Sequence, residues 1–386
     1  MRVHVVDPSS FTRPYDHGLC VALARAGAEV ELITSEFPYG TTLPPDGYAL
    51  REPFYRHALG PGGSQLRRMT KLAEHVPDML RYRGAARAAD VVHFQWLDVQ
   101  WLDRYLLPKP PVVLTAHDLL PREPRPGQVR AQRRLYDVAD AVVVHSDYGR
   151  GRLIDGLGVA AEKVRVIHHG AFEHLTRLPV QRPLPAELRS VDRPVVLFFG
   201  LLRPYKGLDV LLDAWRAVHD AELWIVGRSL IDVEPLRAQA PPNVRFVTRF
   251  VADAEVPAFF RRADAVVLPY SRTERFDQSG VLATALAFAK PTVLSDVGGF
   301  GEVAAQGAAV LVAPGDPGAL ADAVNGLLAD PDRRLGLARA AAAAAAGPYS
   351  WDEAARRTLE LYRGLVGSTG SPGHRRSAAA PQSAPS

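Results

Sequence analysis

Short apolar runs separated by stretches of helical period dominate this 386-residue chain, and they leave it little choice of architecture. Six occupy the first half: Val3 to Val6, Val30 to Thr34, Val91 to Phe94, Val112 to Thr115, Ala141 to His145 and Val164 to His168. Six more follow at Val195 to Phe199, Leu223 to Val226, Val244 to Val247, Ala265 to Leu268, Thr292 to Ser295 and Ala309 to Val312. Such runs, spaced by helices, are the pattern of strands buried on both faces in a parallel sheet. Between the two sets, Thr176 to Pro194 is proline-rich, polar and aperiodic, the composition of a linker. The pattern predicts an α/β chain of two Rossmann-like, doubly wound domains.

Residues 1–180 form the first predicted domain, 181–194 the linker and 195–347 the second domain. Asp16 to Arg25 gathers Leu19, Ala22 and Leu23 on one helical face and stops at Gly27, and Asp209 to Val218 does the same with Leu212, Trp215 and Val218. The alanine block Ala340 to Ala346 has high helix propensity and ends at Gly347 and Pro348. A last helix, within 348–366, carries Ala354, Ala355, Leu359, Tyr362 and Val366 at packing spacing. Residues 367–386 lack the apolar content to fold and read as a disordered tail.

A hydrophobic content of 47% suffices for two cores. The single cysteine, Cys20, excludes an internal disulfide framework and reads as packing within its helix. MRVHVVDPSS enters a strand at once, without the basic region and long apolar stretch of a secretory leader, and no uncharged run reaches membrane-spanning length. The expectation is a cytoplasmic protein. A net charge of +4 suits anionic ligands or an anionic membrane surface, while the clustered basic and aromatic repeats of nucleic-acid binders are missing. Ser64 to Arg87 is basic with interleaved Leu66, Met69, Leu72, Val76, Met79 and Leu80, and Pro77 interrupts it. It reads as a solvated helix pair, with a peripheral membrane-surface segment as the alternative.

Chemistry concentrates in the second half. In VVLFFGLLRPYKGLDVLLDAW, a buried strand leads through Gly200 into a turn bearing Arg203 and Lys206, then Gly207 and an amphipathic helix. Two cations beside the free amides of a helix start favour a phosphate; an ordinary βα turn with solvated basic residues is the other reading. A second helix start, at Gln278, Ser279, Gly280 and Val281, also offers amides to an anion. The nearest dinucleotide fingerprint, at Gly156, Gly158 and Ala161, precedes a strand where it should follow one, which weakens an NAD(P)-dependent oxidoreductase. The D-x-D at Asp330 and Asp332 is better explained by helix capping, so no metal site is expected.

These residues resemble the GT-B fold, glycogen-synthase-like retaining glycosyltransferases of family 4. The resemblance spans Met1 to about Val366 and rests on G-x-x-R-x-x-K-G at Gly200 to Gly207, LWIVG at Leu223 to Gly227, LPYSRTE at Leu268 to Glu274 and ALAFAKPTVLSDVGG at Ala285 to Gly299. It implies two domains facing across a cleft, with the final helix packed back on the first. It further implies transfer of a sugar from a nucleotide-diphosphate donor of UDP or GDP type to a sugar, lipid-linked or small-molecule hydroxyl acceptor, with no other cofactor. Arg203 and Lys206 would hold the diphosphate, joined by the amides near Ser279, Gly280 and Val281. Gly227 and Arg228, with Arg249 to Val251, would border the nucleobase. His117 would face the transferred sugar, and Gly18 would leave room for donor phosphate or acceptor. Trp96, Trp101 and Tyr105 would line the acceptor cleft or fill the core. The family carries two glutamates eight apart, and Phe276 and Thr284 stand at those positions here. Thr284 would meet the ribose instead, and Glu274 would reach the sugar by another loop path. A noncatalytic nucleotide-sugar-binding relative is the alternative that this departure suggests.

Overall fold

The computed structural model describes residues 1–369 apart from 38, 39, 41, 62, 63 and 123. The first sheet is built from β1 (Arg2–Asp7), β2 (Glu29–Thr34), β3 (Ala49–Arg51), β4 (Val91–Phe94), β5 (Val112–Thr115), β6 (Ala141–Val144) and β7 (Val164–Val166). Its order is β3-β2-β1-β4-β5-β6-β7 and its pairings are all parallel. The second comprises β8 (Val195–Phe199), β9 (Glu222–Val226), β10 (Val244–Val247), β11 (Ala265–Leu268), β12 (Thr292–Ser295) and β13 (Ala309–Val312). It runs β10-β9-β8-β11-β12-β13, again parallel. In both sheets the order reverses beside the first strand of the domain. Each switch point opens a crevice at the carboxyl ends of the strands, the usual ligand position in such sheets.

Each sheet is buried on both faces, between two apolar clusters. Val196, Phe198, Leu223 and Ile225 face one cluster of the second domain, with Trp215 fully buried among them, while Val195, Leu197, Trp224 and Val226 face the other. This explains why the strands read as continuous apolar runs. The edge strand β3, with neither face fully covered, gives no such signal and is an addition to the six expected strands. The predicted linker lies against the second domain, where Leu188 is buried in its core and Leu184 packs against it.

Two expectations change. Gln65–Ala85 is one helix that passes through Pro77 rather than a pair. A proline inside a helix costs about 3 kcal/mol, and a densely bonded inner face offsets this. His75 meets the Tyr55 hydroxyl at 2.7 Å and Asp103 at 2.5 Å, Asp78 accepts from the Tyr55 amide at 2.8 Å, and Met79 and Tyr82 are buried. The last helix extends over Trp351–Thr369, so its end takes in the first three residues of the predicted disordered tail. Residues 370–386 of that tail lie outside the described residues.

That helix packs on the first domain. Ala354, Ala355, Leu359 and Tyr362 enter the cluster beside the helix Arg13–Arg25, and Tyr362 meets His93 at 2.6 Å. Trp351 wedges between Gly18 and Gly170: a Cβ would fall 2.4 Å from its ring at Gly18 and 2.3 Å at Gly170. Next to it, the Ala171 amide donates to the Tyr349 carbonyl at 2.7 Å.

Candidate active site between the two sheets

Gly200, Arg203 and Lys206 follow β8 at the carboxyl end of the second sheet, and this loop meets the start of the helix Gly280–Ala287. Gly207, at φ +66°, turns the loop into the helix Leu208–Trp215; a Cβ there would lie 1.9 Å from the Pro269 carbonyl oxygen, so only glycine fits. The Lys206 ammonium is buried, bonded to the Tyr270 hydroxyl and 4.1 Å from that ring's centroid. Tyr270 in turn meets Ser279 Oγ at 3.1 Å, and Ser279 caps its helix by accepting from the Val281 amide. Tyr270 thus ties the two expected anion-binding elements together. It stands inside LPYSRTE, where no local signal marks it out.

The electrostatics of this wall are one-sided. Burial pushes the Lys206 ammonium well below the ordinary lysine range, and the Arg122 and Arg203 charges push it further. Among the described residues neither Lys206 nor Arg203 forms an ion pair, and Arg203 Nε is buried without a partner. A cluster of cations held away from water without counterions is costly. An anion seated here removes that cost.

The opposite wall belongs to the first sheet. A cavity of about 280 Å³ lies at the ends of β4 and β5, lined by Gln95, Trp96, His117, Asp118 and Arg122, and reaches Arg203 across the cleft. His117 stacks on Trp96, with ring centroids 5.3 Å apart. Its two ring nitrogens are engaged within its own domain, with His145 at 3.3 Å and Gln95 at 3.1 Å. His145 Nδ1 donates to the Ile167 carbonyl at 2.9 Å, so its neutral ring accepts from His117 Nδ1. The His117 Nε2 lone pair then calls for the Gln95 amide nitrogen. Burial holds both imidazoles neutral, His145 with a pKa lowered to about 3 and His117 well below the usual histidine range. His117 therefore lines the cavity without aiming a free nitrogen across it.

The walls are stitched together. Arg122 makes a bidentate pair with Asp118, at 2.7 to 2.9 Å, and reaches the Tyr205 hydroxyl of the opposite domain. Arg275 donates to the Arg122 carbonyl at 2.6 Å, and its own carbonyl accepts from the Leu119 amide at 3.0 Å. Asp277, fully buried, accepts from the His145 amide at 2.6 Å and from the Ser146 hydroxyl. Burial raises its carboxyl to about 7 against those bonds. Glu302 accepts from the Asp147 amide at 2.8 Å and the Tyr148 amide at 3.2 Å. Arg122, Asp277 and Glu302 were not singled out in the sequence, because their contacts across the cleft join residues more than 80 apart.

Comparison with known proteins decides the family. Residues 17–171 match the model for Glycosyltransferase Family 4, and residues 193–330 match that for Glycosyl transferases group 1. A D-inositol 3-phosphate glycosyltransferase of Kineococcus radiotolerans is 30% identical over 90% of this chain and 89% of its own length. The chain is a family 4 glycosyltransferase. Its GT-B architecture is shared with sucrose-phosphate synthase from Thermosynechococcus elongatus, at TM-score 0.74 and 20% identity over 95% of this chain and 100% of that one. HepE of Anabaena, solved in complex with UDP, gives TM-score 0.70 and 20% identity over 94% of this chain and 100% of that one.

Several residues expected in the site of this glycosyltransferase lie elsewhere or do other work. Gly18 is within the helix Arg13–Arg25, not in a loop before it, and serves close packing with Trp351. Glu274 is 73% exposed and pairs with Arg152 at 2.7 Å, turned out of the cleft. Gly227, at φ +144°, packs on the Gly200 carbonyl, where a Cβ would lie 2.0 Å away; Val251 is buried in the core. The Arg228 side chain is exposed, while its carbonyl accepts from the Leu202 amide at 3.0 Å. Gln278 is buried and accepts from the Ser279 amide at 3.0 Å. Thr284 spends its hydroxyl proton on the Gly280 carbonyl at 2.8 Å, and Phe276 packs between Tyr270 and Phe300. Of the three aromatic residues, Trp96 alone lines the cavity; Trp101 and Tyr105 are each 63% exposed, neither in the cleft nor in the core.

Proposed function

We propose that this glycosyltransferase moves a sugar, with retention and without a metal ion, from a nucleoside-diphosphate sugar to a hydroxyl acceptor. The observation that carries the proposal is the buried Lys206 beside Arg203, both without counterions among the described residues, at the helix start Ser279–Val281. That arrangement suits the diphosphate of a leaving nucleotide. The UDP bound in HepE supports the same donor class.

In this reading the two cations and the helix amides stabilise the charge that develops on the departing phosphate. Removing one such preorganised donor typically costs about 3 to 4 kcal/mol of transition-state stabilisation. The departing phosphate oxygen takes the proton of the acceptor hydroxyl on the same face of the sugar, so the chain supplies position and charge rather than a nucleophile. Thermal-shift measurements with UDP, GDP, ADP and NAD(P), followed by donor-hydrolysis assays with sugars of the preferred nucleotide, test the reading. Stabilisation by no nucleoside diphosphate at millimolar concentration sinks it. Binding of a nucleoside diphosphate without cleavage of any donor favours the noncatalytic relative.

The reading extends to a cytoplasmic enzyme that touches a membrane at its edge. No helix among the described residues is long and apolar enough to cross a bilayer. On Gln65–Ala85, however, Leu66, Met69 and Leu72 are each more than half exposed, beside Arg67 and Arg68. An apolar stripe flanked by cations suits an anionic lipid surface.

A further inference from the structure

The cavity shows which kind of acceptor this site accommodates. Four amides line its first-domain wall, those of Gln95, Gln100, Gln128 and Gln132, together with the Trp96 indole. Gln100 and Gln128 bond each other at 3.3 Å, and one end of the fully buried Gln95 amide has no partner. An amide both donates and accepts, as a hydroxyl does, and an indole face covers the C–H surface of a polyol ring. At about 30 Å³ per water the cavity holds roughly nine waters. That is room for one six-membered polyol ring.

The charges on that wall are the more selective feature. Arg122 is its cation, and both oxygens of Asp118 already hold it. Asp98, also in the lining, accepts from the Ser9 hydroxyl. The next cation behind it, Lys71, sits 4.7 Å from the Tyr55 ring centroid and does not line the cavity. Among the described residues of the two walls, uncompensated positive charge is confined to Arg203 and Lys206 on the far wall, where a diphosphate would take it. A phosphate or carboxylate on the acceptor would meet a carboxylate, a neutralised ion pair and amides.

We propose that the acceptor is an uncharged polyhydroxyl ring, a pyranose or a cyclitol, held by the glutamine amides and Trp96 and discriminated from its phosphorylated form because the described residues of the first-domain wall offer no spare cation. This rests on the transfer reading above and goes further. It also separates this chain from its 30%-identical relative, whose name specifies a phosphorylated inositol acceptor.

Nucleoside diphosphate binding and donor hydrolysis in water are measured first with the full chain; their failure removes the donor reading and not this one. Glucose and myo-inositol are then compared with glucose 6-phosphate and inositol 1-phosphate as acceptors. At least one neutral ring is expected to speed nucleoside diphosphate release about tenfold over water, with its phosphate ester about tenfold poorer. Preference for an ester over its parent, or no response to either neutral ring, overturns the proposal. Gln128→Leu is expected to raise the KM of the working acceptor about fivefold with kcat nearly unchanged. An unchanged KM places the acceptor elsewhere. Gln132→Arg, which supplies the missing cation, is expected to narrow the preference against the ester, and an unaltered preference overturns the charge argument.

Discussion

The two walls of the cleft carry cations in opposite electrostatic settings, paired on one side and unpaired on the other. On the first-domain wall Arg122 is bidentate with Asp118, and the remaining recognition groups are amides and an indole. On the second-domain wall Arg203 and Lys206 have no carboxylate partner among the described residues, and Lys206 leans on two tyrosine rings. The contrast teaches that the useful quantity in such a site is the charge left over after internal pairing, not the count of arginines and lysines. A wall with surplus charge suits an anion; a wall without it suits hydroxyls.

Removing the surplus should have the largest effect. Lys206→Ala is expected to lower kcat at least about a hundredfold, and Arg203→Ala at least about tenfold, with circular dichroism showing an intact fold. Unchanged turnover in both breaks the comparison. Uncoupling the walls comes next: Tyr205→Phe deprives Arg122 of its contact across the cleft. Transfer is expected to fall about fivefold while nucleoside diphosphate affinity stays within about twofold. Equal losses in both would make the contact part of the donor site instead.

Two pH experiments sharpen the contrast. Because burial favours the neutral amine of Lys206, a diphosphate bound beside it is expected to draw a proton onto it. Affinity should strengthen as pH falls through the pKa of the bound state and level off below that of the free state. Calorimetry in buffers of different ionisation heat should detect proton uptake in the wild type and none in Lys206→Arg. For Asp277 the carboxyl is raised in the folded protein, so the stabilisation belongs to its protonated form. It is complete below about pH 4 and lost as pH rises through about 7. Asp277→Asn removes one acceptor at a baseline cost of about 1 to 3 kcal/mol, and its Tm should gain on the wild type across that window. A constant difference from pH 4 to about 8 rules out ionisation at this position.

The smallest effect lies on the outside of the first domain. Replacing Leu66, Met69 and Leu72 by Gln should weaken co-sedimentation with phosphatidylglycerol vesicles about fivefold, without changing transfer to a soluble acceptor. Equal binding by the variant removes the membrane contact.

What the sequence made legible divides along physical lines. Doubly covered strands announce themselves by unbroken apolar runs, which is why β8 and β11 stand where Val195 to Phe199 and Ala265 to Leu268 predicted them. The Gly200 to Gly207 turn was legible as a turn because its signals are local: strand, glycine, cation, helix. What stayed hidden depends on distant partners. Nothing near Asp277 in the chain reveals that it will meet the amide of His145, and nothing near Glu274 reveals that Arg152 will hold it at the surface. Pro77 misled for a related reason. Its cost is local and readable, whereas the bonds of His75 and Asp78 that outweigh it come from Tyr55 and Asp103.

The bond between Ala171 and Tyr349 has a mechanical consequence. The chain leaves the first domain near Gly170 and returns to it near Trp351, and the two crossings run side by side with the indole pressed between them and the first helix. Two adjacent threads confine relative motion to rotation about the line joining them, as a pair of hinges confines a door. Were the Arg122, Arg275, Asp277 and Glu302 contacts to release, the walls would turn about that line rather than slide past one another.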